Sequence, residues 1–147
     1  MINEYHKLKL SDFGLAKKVT ELSNLGIKSS AEERASSHSQ ANSNSKNKAG
    51  TPYYMAPELF QDTGVYSYFS DFWSLGCIMI EMATGKPPFY TQSLQELIQQ
   101  IVVKDVPVVN GFSDQFNDLI SKMLQKDPVK RINWEEIKRH PWWSTKI

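Results

Sequence analysis

The residues with the chemistry for a polar site are scattered along the chain. Asp12 sits in Leu10-Ser11-Asp12-Phe13-Gly14, an acid followed by an aromatic ring and a glycine. A carboxylate is a hard oxygen donor, the kind that a divalent cation takes. The tripeptide therefore reads either as a metal-binding aspartate at the end of a strand or as a strand end closed by a glycine turn, and alone it does not decide. Asp71 stands just ahead of an apolar run, a place where a helix dipole favours an acid. His6, His38 and His140 have no metal-ligand spacing and no paired cysteine, so zinc is not expected. Cys77 is the only cysteine and cannot close a disulfide within the chain. Trp142-Trp143 reads as closure of a core after a terminal helix.

Elements must hold these residues. The 147 residues are enough for one domain with one core. Seventeen basic against sixteen acidic side chains give a net charge of +1, and no stretch approaches a membrane span. No nucleic-acid or membrane partner is expected from this balance, and a cytoplasmic protein is. His6 to Ser11 alternates polar and apolar side chains with Leu8 and Leu10 on one face, which predicts a short strand. From Ser29 to Lys48 there are seven Ser, three Asn and no Val, Ile, Leu, Met or aromatic residue. That composition predicts a flexible insert.

The rest reads as helices. Ser70 to Thr84 carries apolar side chains around nearly the whole circumference and stops at Gly85, as for a helix in the centre of a core. Ser93-Leu94-Gln95-Glu96 has the form of a capping box ahead of an amphipathic helix. A third helix begins near Ser113, with Phe116, Leu119, Ile120, Met123 and Leu124 on one face, and ends before Asp127-Pro128. A last one starts at Asn133-Trp134-Glu135-Glu136 and runs towards Pro141.

Four stretches in order carry a family likeness. They are Asp12-Phe13-Gly14; Gly50-Thr51-Pro52-Tyr53-Tyr54-Met55-Ala56-Pro57-Glu58; Asp71-Phe72-Trp73-Ser74-Leu75-Gly76; and Asp127-Pro128 with Arg131. Together they resemble the protein kinases, whose signature joins Asp-Phe-Gly to Ala-Pro-Glu across an activation loop. The resemblance implies a protein kinase-like (α+β) fold. Residues 1–147 would be its mainly α-helical C-terminal lobe with a short N-terminal β element, the N-terminal lobe being absent. Within it, 12–58 would be the activation segment, with the insert at about 19–48, and 59–147 the helical subdomain.

The resemblance also implies roles. Asp12 would hold Mg2+ against the phosphates of ATP, Phe13 would set its active or inactive position, and Gly14 would let the backbone swing. Glu58 and Arg131 would form a buried two-pronged ion pair. Asp71 would accept hydrogen bonds from the catalytic loop's backbone, and Trp73 and Gly76 would be structural positions of the central helix. Thr51 would touch the catalytic aspartate and shape the acceptor pocket, which makes serine or threonine of a protein substrate the expected acceptor. Ser43 and Ser45 are candidate phosphorylation sites that would order the insert. The closest likeness is to the Fused-like branch with its unc-like relatives, carried by Tyr53 to Asp62, Ser70 to Cys77 and Gly85-Lys86-Pro87-Pro88-Phe89. That branch implies association with microtubules or cilia.

In the family the glycine-rich loop, the strand lysine, its glutamate partner and the His-Arg-Asp loop all come before Asp-Phe-Gly. Only eleven residues precede Asp12, and none of those motifs is among them. The expectation is a truncated serine/threonine kinase domain, inactive as an isolated chain and marginal in stability. The alternative is a non-catalytic, kinase-derived scaffold that holds partner proteins in the groove around Ser93 to Val103.

Overall fold

The computed structural model describes residues 10–14, 16, 52–61 and 66–144. The expected strand around Leu8, the insert at about 19–48, Thr51, Ser43 and Ser45 lie outside them. Leu10 and Ser11, where that strand should end, are not in a strand, and the described residues contain none. A strand needs a ladder partner to persist, and no described segment offers one.

Among the described residues four α-helices make up the architecture. α1 spans Tyr68–Thr84, α2 Leu94–Val103, α3 Asp114–Met123 and α4 Trp134–Arg139. Short 3-10 turns at Pro52–Tyr54 and Pro57–Phe60 lead into the bundle, and a third at Pro141–Ser144 follows α4. Local chemistry sets the boundaries. Before α1 the Ser67 N–H reaches Ser70 Oγ at 3.4 Å, and Gly85 ends the helix with φ 78, a left-handed conformation that costs glycine nothing. Ser93 Oγ accepts the Glu96 N–H at 3.4 Å, but the reciprocal half of the expected capping box is missing. The Glu96 carboxylate instead takes the Thr91 hydroxyl at 2.7 Å. At α4 the box is complete: Asn133 Oδ1 accepts the Glu136 N–H at 3.0 Å and Glu136 Oε2 accepts the Asn133 N–H at 2.9 Å.

The core gathers Trp73, Cys77 and Ile80 of α1, Leu97 and Ile101 of α2, and Phe116, Ile120 and Leu124 at α3. Leu119, Met123, Ile132 and Ile137 form a second cluster under α4. Trp142 packs against both, while Trp143 stays 57% exposed. Each fully buried side chain such as Ile120 contributes about 1.5–3 kcal/mol. α1 and α3 approach closely at Gly76, where an added Cβ would lie 3.0 Å from Leu124 Cδ2 and 3.1 Å from Met123 Cβ.

The expectation that α1 is buried all round needs correction. Trp73, Gly76, Cys77 and Ile80 are buried, yet Leu75 and Ile78 are 41% and 43% exposed and Met82 is 82% exposed. α3 and the turn at Pro52–Tyr54 pack on the helix, and Leu75, Ile78 and Met82 stay exposed among the described residues.

Candidate functional site

The 3-10 turn at Pro57–Phe60 delivers Glu58 into the bundle, where it is 7% exposed. Arg131, in the loop between α3 and α4, is 2% exposed and meets it with two parallel bonds, Nη1 to Oε1 at 2.8 Å and Nη2 to Oε2 at 2.9 Å. Such a fork-to-fork pair fixes geometry as well as charge. The guanidinium is further held by carbonyls, with Nη1 donating to Phe69 O at 2.7 Å and Nε to Gln125 O at 3.0 Å. Its face lies 5.3 Å above the Trp73 ring. Trp73, wholly buried, stacks in turn on Phe89 at 6.1 Å.

One member of this network escaped the sequence reading. Ser70 Oγ donates to Glu58 Oε1 at 2.9 Å, from a residue only 1% exposed. Its signal was a serine at the third position of α1, where a Glu or Gln would be usual for a box.

The turns at Pro52–Phe60 are tied to the bundle by tyrosines. Tyr53 stacks on Tyr90 with centroids 5.4 Å apart, and its hydroxyl donates to Thr91 O at 3.2 Å. The Tyr54 hydroxyl donates to Glu81 Oε2 at 2.7 Å, and that bond raises the phenol's pKa. Ser74 Oγ donates to Tyr54 O at 2.9 Å. A neutral, bonded tyrosine cannot act as a base here.

Asp12 is placed quite differently. It is exposed and has φ 63, in the left-handed region that an aspartate tolerates better than most residues. Its Oδ1 accepts the Gly14 N–H at 3.3 Å, and the Ala16 N–H donates to Phe13 O at 3.0 Å, so a local turn holds it. Phe13 is 69% exposed. Asp71 is also exposed, in the first turn of α1, and its Oδ1 accepts the Tyr66 hydroxyl. Burial and that carboxylate push the pKa of Tyr66 up.

The fit to magnesium is a matter of donor type. The ion takes six oxygens in near-octahedral geometry and keeps several waters. Asp12 offers the hard oxygen, but no three His, Cys, Asp or Glu side chains converge among the described residues. Asp12 therefore fits as a single ligand, and the other oxygens would come from water and phosphate. His140 is no candidate: its Nδ1 accepts the Trp142 N–H at 3.3 Å, so Nε2 carries the proton and donates to Asp118 Oδ2 at 2.9 Å. Burial pushes the Cys77 thiol up to about 12, which leaves it unreactive at neutral pH.

Against known proteins, residues 1–143 match the protein kinase domain family. The chain is 38% identical to the serine/threonine-protein kinase RUNKEL of Arabidopsis thaliana over all of its own length and 10% of that protein's. It is 37% identical to the serine/threonine-protein kinase ULK4 of Mus musculus over 93% of its length, 11% of the mouse protein. It is 38% identical to serine/threonine-protein kinase 36 of Mus musculus over 67% of its length, 7% of that protein. The chain thus spans about a tenth of the length of these curated relatives. With a kinase match over nearly its whole length and serine/threonine-protein kinases among its relatives, the chain belongs to the protein kinase domain family.

Proposed function

We propose that these residues form the helical lobe and activation segment of a domain that transfers phosphate from ATP to serine or threonine of a protein. The observation that carries this reading is the Glu58–Arg131 clasp, which fixes the end of the segment against the bundle at 2.8 and 2.9 Å. Phosphoryl transfer depends on positioning and charge neutralisation. The clasp and the Tyr53 and Tyr54 contacts supply a rigid floor on which an acceptor peptide would lie. Asp12 would hold Mg2+, which when bound neutralises charge on the phosphates of ATP, and the Gly14 N–H orients the carboxylate for it. Thr51 would shape the acceptor pocket. Ser43 and Ser45 would accept regulatory phosphate.

The 147 residues hold one such ligand and no His-Arg-Asp. Alone, they are expected not to transfer phosphate. The test is labelled-ATP transfer by the protein purified from its own cells, beside the 147-residue chain, followed by phosphoamino-acid analysis. Phosphoserine or phosphothreonine from the former, lost in Asp12→Asn, is the expected outcome. Phosphotyrosine, or label transferred by the 147-residue chain and unaffected by Asp12→Asn, would sink the reading.

A second reading rests on exposed apolar side chains at the two ends of α2. Leu94 at its start and Val102 and Val103 at its end are 57%, 41% and 72% exposed, side chains that a scaffold would use to hold a partner protein. Partner capture that persists in Asp12→Asn, with no phosphate transfer by the wild type, would favour it. An association with microtubules or cilia is proposed on the Fused-like likeness, and co-sedimentation with polymerised tubulin tests it.

A further inference from the structure

A cavity of about 480 Å3 opens between the end of α3, the loop carrying Arg131, and α4, on surface that neither the clasp nor Asp12 uses. Lys122, Lys130 and Arg139 line it from three segments, with Glu135 and Glu136 on the same wall. The acids are hydrogen-bonded or paired, and Glu136 keeps its charge. Glu136 accepts the Asn133 N–H at 2.9 Å, and Glu135 pairs with Lys138 at 2.8 Å. Lys122 is shared with Asp118 at 2.7 Å. Lys130 and Arg139, both exposed, have no ion-pair partner among the described residues. Three cations against two acids leave the lining net positive, which suits a phosphate, and a guanidinium can grip phosphate oxygens with two bonds at once.

We propose that this cavity binds a phosphate monoester presented by a phosphorylated protein segment, held by Lys130 and Arg139. A water occupies about 30 Å3 of liquid, so the space exceeds what a bare phosphate fills. Ile132 and Pro141 supply an apolar wall for the residues that flank the phosphate.

Fluorescence anisotropy of the full chain with a short labelled peptide carrying one phosphoserine between apolar residues tests this. The expected result is binding about tenfold tighter than to the unphosphorylated peptide, a difference of about 1.4 kcal/mol, and its loss in the double variant Lys130→Ala, Arg139→Ala. Glu135→Gln should tighten binding, a gain that partial unfolding cannot imitate. Asp12→Asn should leave binding unchanged, since the cavity owes nothing to the metal aspartate. Equal binding of the two peptides would overturn the proposal. So would inorganic phosphate competing as well as the phosphopeptide, or an RNA oligonucleotide binding more tightly than it.

Discussion

The two ends of the stretch from Asp12 to Glu58 are built on opposite principles. At its far end Glu58 is buried and takes hydrogen bonds from Arg131 and Ser70, while Arg131 also reaches the Phe69 and Gln125 carbonyls. At its near end Asp12 is exposed, and the hydrogen bond to it comes from two residues away. The far end is made to hold, and its charges are costly to separate. The near end presents an exposed carboxylate. A group that is to exchange ligands must stay open, whereas an anchoring group must not, and burial divides the two.

The strongest way to break this contrast is at the clasp. Arg131→Ala leaves Glu58 buried without its partner, and Glu58→Gln does the reverse, each costing about 3–5 kcal/mol. Denaturant midpoints at the wild-type value in both would remove the anchoring role. Gly76→Val comes next, because its Cβ would press on Leu124 and Met123 at 3.0 and 3.1 Å. Overpacking of that kind costs about 1–3 kcal/mol, visible as a lower melting temperature.

A subtler test lies at Lys126, whose ammonium donates to Ile101 O at 2.7 Å and sits 4.3 Å above Phe89. Burial pulls its pKa down to about 8 from an ordinary 10.5. Between those values the unfolded chain holds a proton that the folded one has released, so this group's contribution to stability rises with pH across the window. Cys77, raised to about 12, works in the opposite sense above pH 9. The wild-type melting temperature minus that of Lys126→Met should therefore grow from about pH 8 to 10.5, and a constant difference would contradict the shift. The smallest effect belongs to the near end. Asp12→Asn, which tolerates the same left-handed backbone and can still accept the Gly14 N–H, should move stability by no more than about 0.5 kcal/mol. A large loss would mean that Asp12 also anchors, and the contrast would fail.

Much of the bundle was legible because periodicity and caps are local signals. The face of α3 from Phe116 to Leu124 and the Asn133–Glu136 box are as the spacing implied. The exposed side of α1 was not legible: Leu75, Ile78 and Met82 have core chemistry, and only tertiary neighbours decide whether such residues are covered. At the site, Glu58 and Arg131 were reached through motif likeness, since 73 residues separate them and no periodicity links them. Ser70 was missed because serine is ordinary at a helix start, and its bond to Glu58 depends on a turn twelve residues earlier. The Tyr66 hydroxyl on Asp71 was missed for a similar reason: a tyrosine in a connecting segment gives no hint of its acceptor.

The separation of Glu58 from Arg131 also bears on the order of folding events. Closing a loop of 73 residues has an entropic cost that short-range helix contacts avoid. Arg131 is held from its own side by Gln125 O, six residues away, so the receiving half of the clasp can assemble with α3 and α4 before Glu58 arrives. Docking of the segment is then expected to follow the rate-limiting barrier, which the folding and unfolding rates of Glu58 variants test. Variants at Glu58 should chiefly accelerate unfolding and leave the refolding rate nearly untouched. The lobe could thus exist folded with its segment undocked, and the lifetime of the docked state would be set at a single pair of side chains.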